Sequence, residues 1–416
     1  MKFQSVKGMH DTLPGDIEAW QIFELKSRSF LEAYGFREIR TPILESTELF
    51  SRSIGEASDI VHKEMYTFQD RGGRSLTLRP EMTASVVRSV LEHNLLKENE
   101  PLYLYYMGPM YRAERPQAGR TRQFHQLGVE TLNTHSAVND AELLIMTHSF
   151  LQSFGLKDFS VRLNNLGSVT DRKKFTERLA VYFKSHEKDL CPDCQYRLQK
   201  NVLRVLDCKV ESCQKLIQGA PSIELSREAG GQFDQIQKFL RDAKVPFQIE
   251  PRLVRGLDYY TGCVFEVTCK GLGAQDALLA GGRYDGLIQS LGGPVTGASG
   301  FAMGIERFFM ALEANQISLA KEALAKTVYI AGLIKTEAVC EFYRKIANHL
   351  AGAGVRAKYS FAEKSLGSHL KQANKLGVGF VVIVGEDEWK AGEVSLKNME
   401  TGEQKKYSIE QLRNAF

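Results

Sequence analysis

Long apolar runs are missing from this chain. None of its 416 residues opens a stretch of about 18 consecutive apolar side chains, which argues against a membrane-spanning helix. The first 30 residues also lack a charged start, an apolar core and a small-residue cleavage site, so no secretion is expected and a cytoplasmic location is. Charge of one sign is not in excess: 54 Lys+Arg against 50 Asp+Glu leave +4, which neither demands nor forbids a polyanionic partner. Internal repeats and low-complexity tracts are absent, which excludes solenoids and long tails. Cysteine is scarce and odd in number, seven in all, so a disulfide framework is not expected and a reducing compartment is.

What is there belongs to a globular protein. Apolar residues make up 43% and charged residues 25%, enough for substantial cores. At about 150 residues per domain the length predicts two to four domains. From Asp16 to Tyr34, Trp20, Phe23, Phe30, Leu31 and Tyr34 recur at helical spacing, with Gly35 placed to end the helix. Strand-like segments follow at Phe36–Leu44, broken by Pro42, then Ser75–Leu78, Pro101–Met110, Gln123–Leu132, Val264–Cys269 and Gly300–Gly304. Their separation by helices without regular βαβ alternation predicts an α+β domain, residues 1–322, on a largely antiparallel sheet.

Between Asp171 and Arg252 helical, charged sequence takes over, as in an inserted helical module. The window Gly155–Lys215 holds 13 Lys+Arg and 8 Asp+Glu, a net +5 that fits either a phosphate-contacting surface or a solvated helical face. Within it, Cys191-x2-Cys194-x13-Cys208-x4-Cys213 fits a zinc ribbon of four thiolates or a set of reduced, partly buried thiols. After the polar, Ala-rich stretch Glu313–Lys326, a strand at Val328–Leu333, helices at Glu337–Ala351 and Lys364–Leu376, and a strand at Phe380–Val384 predict a small α/β domain, residues 327–416. From Arg344 to Lys375 it carries seven Lys+Arg against Glu363 alone, a second candidate basic surface.

The chemistry is densest in Tyr111–Glu130. Four arginines and no lysine sit in a strand–loop–strand whose loop is marked by Pro116 and Gly119, which suits planar recognition of phosphate oxygens. Phe124 offers a ring for a purine, and strand alternation puts Phe124, Gln126, Gly128 and Glu130 on one face. This stretch resembles motif 2 of the class II aminoacyl-tRNA synthetases. Gly35–Glu45 resembles their motif 1, the dimer-forming helix and strand, and Gly300–Arg307 resembles motif 3, a glycine-bearing strand running into a helix that presents an arginine. Leu253–Gly262 and Ala280–Gly286 look like the two signature peptides of the histidyl-tRNA synthetase family. Lys7–Asp11, Thr77–Thr83 and Lys397–Glu403 extend the likeness along nearly the whole chain.

The resemblance implies a ligase that joins L-histidine and ATP into histidyl-adenylate, then charges tRNA(His), acting as a homodimer through motif 1 with Mg²⁺ on the phosphates. It implies a class II antiparallel-sheet catalytic domain and an anticodon-binding C-terminal domain. Arg112 would hold the α-phosphate, Arg307 the γ-phosphate, and Arg255 the α-phosphate and substrate carboxylate, with Glu114 and Phe124 beside the nucleotide. Glu130 and Tyr260 would read the imidazole nitrogens, Tyr259 would complete the pocket, and Glu81, Thr83 and Gln126 would meet the amino and carboxylate ends. Such a pocket rejects analogues by about 10⁴ or more, so no editing domain is expected. Taken alone, Tyr259–Tyr260 reads as core aromatics, and His62, His125 and His349 read as structural. Met82 stands where the family more often has glycine. A non-catalytic histidine-sensing relative is the competing reading, but such relatives usually lose the motif arginines and the C-terminal domain, which this chain has.

Overall fold

The computed structural model describes residues 3–55, 58–117, 119–272, 276–319, 324, 327–334, 336–360 and 364–415. Ala118 of the arginine-rich loop, most of the end of the Glu313–Lys326 stretch, and Glu363 lie outside them. The chain divides into two compact units, Met1–Asp11 with Ser27–Ile317, and Thr12–Lys26 with Ser318–Phe416. No helix among the described residues is long and apolar enough to cross a membrane.

In chain order the strands of the first unit are β1 (Arg37–Glu38), β2 (Leu44–Ser46), β3 (Tyr66–Gln69), β4 (Ser75–Leu78), β5 (Leu102–Tyr111), β6 (Gln123–Leu132), β7 (Phe159–Asn165), β8 (Phe247–Ile249), β9 (Thr261–Cys269), β10 (Ala277–Arg283) and β11 (Ala298–Gly304). Eight of them form one sheet in the order β1-β5-β6-β11-β10-β9-β7-β8. Pairing is antiparallel except at the two edges, where β1 and β8 run parallel to their neighbours. β2, β4 and β3 make a separate antiparallel sheet. The long segment expected at Phe36–Leu44 is thus two short strands. Proline has no N–H to give a ladder, and the chain at Thr41–Pro42 instead offers its carbonyls to Arg79 Nη1, at 2.8 and 3.3 Å.

One row of this sheet explains where a cleft forms. Tyr106, Gly128, Ala302, Ala280 and Glu266 are successive partners across β5, β6, β11, β10 and β9, so they share a face. The three central residues are small and the two flanking ones are large, which leaves a trough over β6, β11 and β10.

Between β7 and β8 lie helices Val169–Ser185, Pro192–Lys200, Glu211–Gly219 and Arg227–Asp242, and a 3₁₀ turn at Val202–Asp207. This insertion shares the sheet's core: Phe175, Phe183, Cys194, Val205 and Ile217 are buried in one cluster with Leu104, Tyr106 and Val264. Its charge is partly internal. Arg172 donates to the Asp258 and Tyr260 carbonyls at 3.1 and 2.8 Å, and Arg197 and Arg204 reach Asp59 at 2.6 and 3.3 Å. These three arginines hold the fold and cannot belong to a phosphate surface.

The second unit has a five-stranded sheet of β12 (Thr327–Gly332), β13 (Arg356–Ser360), β14 (Phe380–Val384), β15 (Glu393–Asn398) and β16 (Gln404–Ser408), ordered β13-β12-β14-β15-β16. Alternation sends Val328, Ile330, Val382 and Val384 into one core with helix Glu337–Gly352, and Tyr329, Ala331, Val381 and Ile383 into another with helix Leu366–Leu376. Both faces are therefore covered, as a three-layer α/β domain requires.

Arg283 joins the end of β10 to helix Ala137–Ser153. Its guanidinium contacts Asp140 at 2.7 and 2.9 Å, the Thr134 carbonyl at 2.8 Å and Asp285 at 2.9 Å, with both partners of the Asp140 pair buried. Arg283→Met should therefore strand a buried carboxylate and cost about 3–5 kcal/mol in denaturant unfolding, most of it recovered by adding Asp140→Leu. A single variant as stable as the parent would show that the pair carries none of this load.

Candidate active site

β6 passes from open to buried along its polar face. Phe124 is half-buried, Gln126 is 9% exposed and Glu130 is 1% exposed. Around the open end, one cleft of about 190 Å³ is lined by Arg112, Glu114, Arg120, Phe124, Gln126, Arg255, Glu306 and Arg307. The three arginines singled out in the sequence thus come together from three places: the end of β5, the loop before β9, and the first turn of helix Ile305–Ala314.

Each of them is held by a fixed partner. Arg112 Nε donates to the Pro80 carbonyl at 2.9 Å, and its guanidinium carbon lies 5.2 Å from the Phe124 ring centroid. A stacking base would have to use the other side of that ring. Arg307 Nε donates to the Ala277 carbonyl at 2.8 Å; burial, with Arg120 nearby, lowers its pKa from the usual arginine value. Arg255 Nη1 pairs with Glu266 at 2.6 Å. Arg255 Nε and Gln126 Oε1 are buried without a hydrogen-bond partner among the described residues, as expected where a polar ligand completes the set. Glu114 sits 3.0 Å from Arg120 and 3.9 Å from Arg112. Gly119 turns the loop at φ +71°, and a Cβ there would lie 2.9 Å from Met310 Sδ and 3.1 Å from Arg307 Nη1. Lys7 and Gly8 brace the same loop, the Gly8 carbonyl accepting from Arg122 N at 2.6 Å.

Deeper along the strand the remaining sequence candidates form a closed polar cluster. Glu81 accepts the Thr83 and Ala84 N–H groups at 2.7 and 3.0 Å, at the start of helix Thr83–Glu92. The Thr83 hydroxyl donates to Glu130 Oε1 at 2.7 Å, and the Tyr284 hydroxyl to Glu130 Oε2. Tyr259 lies 4.8 Å from Tyr260 and 5.6 Å from Tyr284, ring to ring. Gly300 stands opposite Glu130, and a Cβ there would be 2.2 Å from Glu130 Oε2 and 2.3 Å from the Val129 carbonyl, so only glycine admits the carboxylate. Burial pushes the Glu130 carboxyl up to about 8, against the Tyr284 and Thr83 hydroxyls that favour its charged form. Burial likewise raises Glu81, Tyr259 and Tyr260. Met82 takes φ −117° and packs in the core, so no glycine is needed there.

The sequence reading missed Tyr284, Tyr106 and Glu266. Tyr284 lay inside a quoted peptide, and alternation from Tyr103 would have put Tyr105 and Tyr106 on opposite faces, but only the register shows Tyr106 against Gly128. Glu266 carries no local signal, because its partner Arg255 is met through folding. His125 has a structural role, its Nδ1 2.9 Å from Glu306 of the motif 3 helix.

A family model described as histidyl-tRNA synthetase matches residues 8–308, and one described as an anticodon binding domain matches residues 327–416. The chain belongs to the histidyl-tRNA synthetase family. A histidine–tRNA ligase of Caldanaerobacter subterraneus subsp. tengcongensis is 43% identical over 418 residues, covering 100% of both chains. The apo histidyl-tRNA synthetase of S. aureus superposes with a TM-score of 0.77 at 36% identity, over 100% of this chain and 99% of that one. A Bacillus halodurans C structure titled as an ATP phosphoribosyltransferase regulatory subunit/histidyl-tRNA synthetase shares the fold at TM-score 0.64 and 23% identity, over 89% and 97%. The fold alone therefore does not separate ligase from regulator; the full-length likeness to histidine–tRNA ligases gives the ligase reading the stronger support. As a histidyl-tRNA synthetase family member the chain is a ligase, with ATP, histidine and tRNA as the substrates its family implies.

The raised Glu130 carboxyl makes a prediction. The folded form keeps a proton that the unfolded form has lost between pH of about 4.5 and about 8, so this stabilisation is full below about 4.5 and disappears as pH rises through about 8. Thermal melts of the unliganded protein should fall from about pH 6 to about pH 9 more steeply than those of Glu130→Gln, which stays neutral. Equal slopes would mean that Glu130 titrates as an ordinary carboxylate.

Proposed function

We propose that this site activates L-histidine with ATP and then transfers the histidyl group to the 3′ end of tRNA(His). In the first step an oxygen of the histidine carboxylate attacks the α-phosphorus of ATP. The bond to the bridging oxygen breaks, and histidyl-adenylate and pyrophosphate form. In the second, a terminal ribose hydroxyl of the tRNA attacks the acyl carbon, releasing AMP and a proton. Both partners of the first step are anions, so fixed cations contribute most of the stabilisation. The observation that carries this reading is the convergence of Arg112, Arg255 and Arg307 on one cleft beside a buried hydrogen-bonding pocket.

In this reading Arg112 and Arg255 steady the α-phosphate and the attacking carboxylate, and Arg307 the γ-phosphate. Phe124 stacks on the adenine. Mg²⁺ would lie on the phosphates of ATP and neutralise their charge, with Glu114 beside the nucleotide as a hard oxygen donor that such an ion would accept. Glu130 and Tyr260 read the two imidazole nitrogens, with Tyr259 closing the pocket. Glu81, Thr83 and Gln126 meet the amino and carboxylate groups. The unpartnered Gln126 Oε1 and Arg255 Nε support these assignments. Exposed Ile43, Leu44 and Phe68 near the three-stranded sheet support a homodimer through the motif 1 region, and a cytoplasmic site of action follows from the tRNA substrate.

Exchange of labelled pyrophosphate into ATP that depends on L-histidine tests the first step. Arg255→Ala should cut that exchange by orders of magnitude while histidine affinity changes far less. Exchange missing from the parent protein, with histidine still bound, would replace this reading by that of a histidine sensor.

In the C-terminal domain Lys371, Lys375, Arg356 and Lys358 are exposed, whereas Lys364 is half-buried and bonded to Gln372. Charge-removing changes at Lys371 and Lys375 should raise KM for tRNA and reduce its salt dependence, leaving pyrophosphate exchange untouched. Unchanged tRNA kinetics would make that face a solvated one.

A further inference from the structure

The feature that the proposed reaction leaves unused is the thiol cluster of the helical insertion. Cys191 precedes helix Pro192–Lys200 and Cys194 lies in its first turn; Cys208 ends the 3₁₀ turn, and Cys213 lies in helix Glu211–Gly219. Four chain positions from three elements thus bring their sulfurs within 4.8 Å of one another. Cys191 Sγ and Cys208 Sγ are 3.8 Å apart, the edge of a tetrahedron with metal–sulfur bonds of about 2.3 Å and far from the about 2.05 Å of a disulfide. Two backbone N–H groups point at sulfur: Cys191 N at Cys213 Sγ, 3.3 Å, and Val210 N at Cys208 Sγ, 3.4 Å. Such donors serve thiolates, and Arg197 adds positive charge beside Cys194. Three of the four side chains are buried, Cys194 and Cys213 completely.

We propose that Cys191, Cys194, Cys208 and Cys213 bind one Zn²⁺ as a closed tetrathiolate site that holds the insertion against the catalytic loop. Four soft ligands in a tetrahedral set exclude the hard ions Mg²⁺ and Ca²⁺ and suit a single Zn²⁺, with iron as the metal that elemental measurement would otherwise find. Binding exchanges the thiol protons, which pass to solvent, for the metal.

The site also has a position to defend. The 13 residues between Cys194 and Cys208 include Asn201 and Arg204, which contact the loop that carries Arg255, and Arg197, which with Arg204 contacts Asp59. Asn201 Nδ2 donates to Asp258 at 2.7 Å, Arg204 Nη1 to the Arg255 carbonyl at 3.1 Å, and Arg197 and Arg204 both pair with Asp59. A metal closing both ends of that segment fixes the backbone from which Arg255 projects. Four thiolates and Zn²⁺ together carry two negative charges, so the +5 counted for Gly155–Lys215 with neutral thiols falls by two.

Metal analysis of the full chain, purified without chelators, should find one zinc per chain, and the Cys194→Ser/Cys213→Ser double variant should lose it. Reconstitution of the parent with Co²⁺ should give thiolate-to-cobalt charge-transfer bands with tetrahedral ligand-field absorption, a readout that needs no variant to fold. Amide hydrogen exchange across Asn201–Cys208 should rise when a mercurial releases the metal. A parent chain that holds no zinc even after Zn²⁺ is supplied, or a double variant that keeps its zinc, would overturn the site; unaltered amide exchange would overturn its positioning role. Metal content and cobalt spectra do not depend on pyrophosphate exchange, so a failure here is distinct from a failure of the proposed reaction.

Discussion

Placing a carboxylate in the interior of an eight-stranded sheet costs desolvation energy that only nearby donors can offset, and the arrangement around Glu130 follows from that cost. Tyr284 and Thr83 supply hydroxyls to its two oxygens. Thr83 is itself set by Glu81, which accepts two N–H groups at the start of helix Thr83–Glu92 and so anchors the helix to the pocket. Gly300 clears the opposite strand. Remove any one of these and either a buried oxygen loses its donor or the chain has no room for the side chain. The donors do not bring the carboxyl back to its ordinary value, because burial outweighs them.

The cations obey the opposite rule. They remain in the half-buried cleft, each oriented by a fixed acceptor: Arg112 by the Pro80 carbonyl, Arg307 by the Ala277 carbonyl, Arg255 by Glu266. Carbonyl acceptors orient a guanidinium without neutralising it, which is how Pro80 and Ala277 hold the Nε groups of Arg112 and Arg307. Arg255 is held more closely by charge, its Glu266 partner at 2.6 Å against 3.9 Å from Arg112 to Glu114. The small row Gly128, Ala302 and Ala280 leaves the space beneath the three side chains open. Positioning precedes the ligand, and that is how electrostatic stabilisation avoids reorganisation cost at the moment of reaction.

Much of this was legible from one dimension. Ser75–Leu78, Gln123–Leu132 and Phe380–Val384 are strands at the residues where turn signals and alternation put them, and alternation alone set Phe124, Gln126, Gly128 and Glu130 on one face. Short or edge strands escaped: Phe247–Ile249 is too brief for a period, and Tyr66–Gln69, Phe159–Asn165 and Ala277–Arg283 owe their state to the strands they pair with. The same limit hid Glu266 and Tyr284, whose meaning lies in who faces them. Charge misled where burial was invisible, since Arg172, Arg197 and Arg204 count toward a basic window yet bind carbonyls and Asp59 inside the fold.

Those internal arginines connect the insertion to the site. A helical excursion between β7 and β8 gains no ladder of its own until β8 pairs at the sheet edge, so side-chain contacts must tie it down. Arg204 and Asn201 do so at the backbone and side chain of Arg255 and Asp258, and Arg172 does so at the carbonyls of Asp258 and Tyr260. The loop that carries both the cleft's third arginine and the pocket's two tyrosines is thus held from outside the sheet. On the proposed reading of the site, a change in how firmly the insertion is fixed would reach the phosphate contact and the imidazole contact together, because one loop presents both.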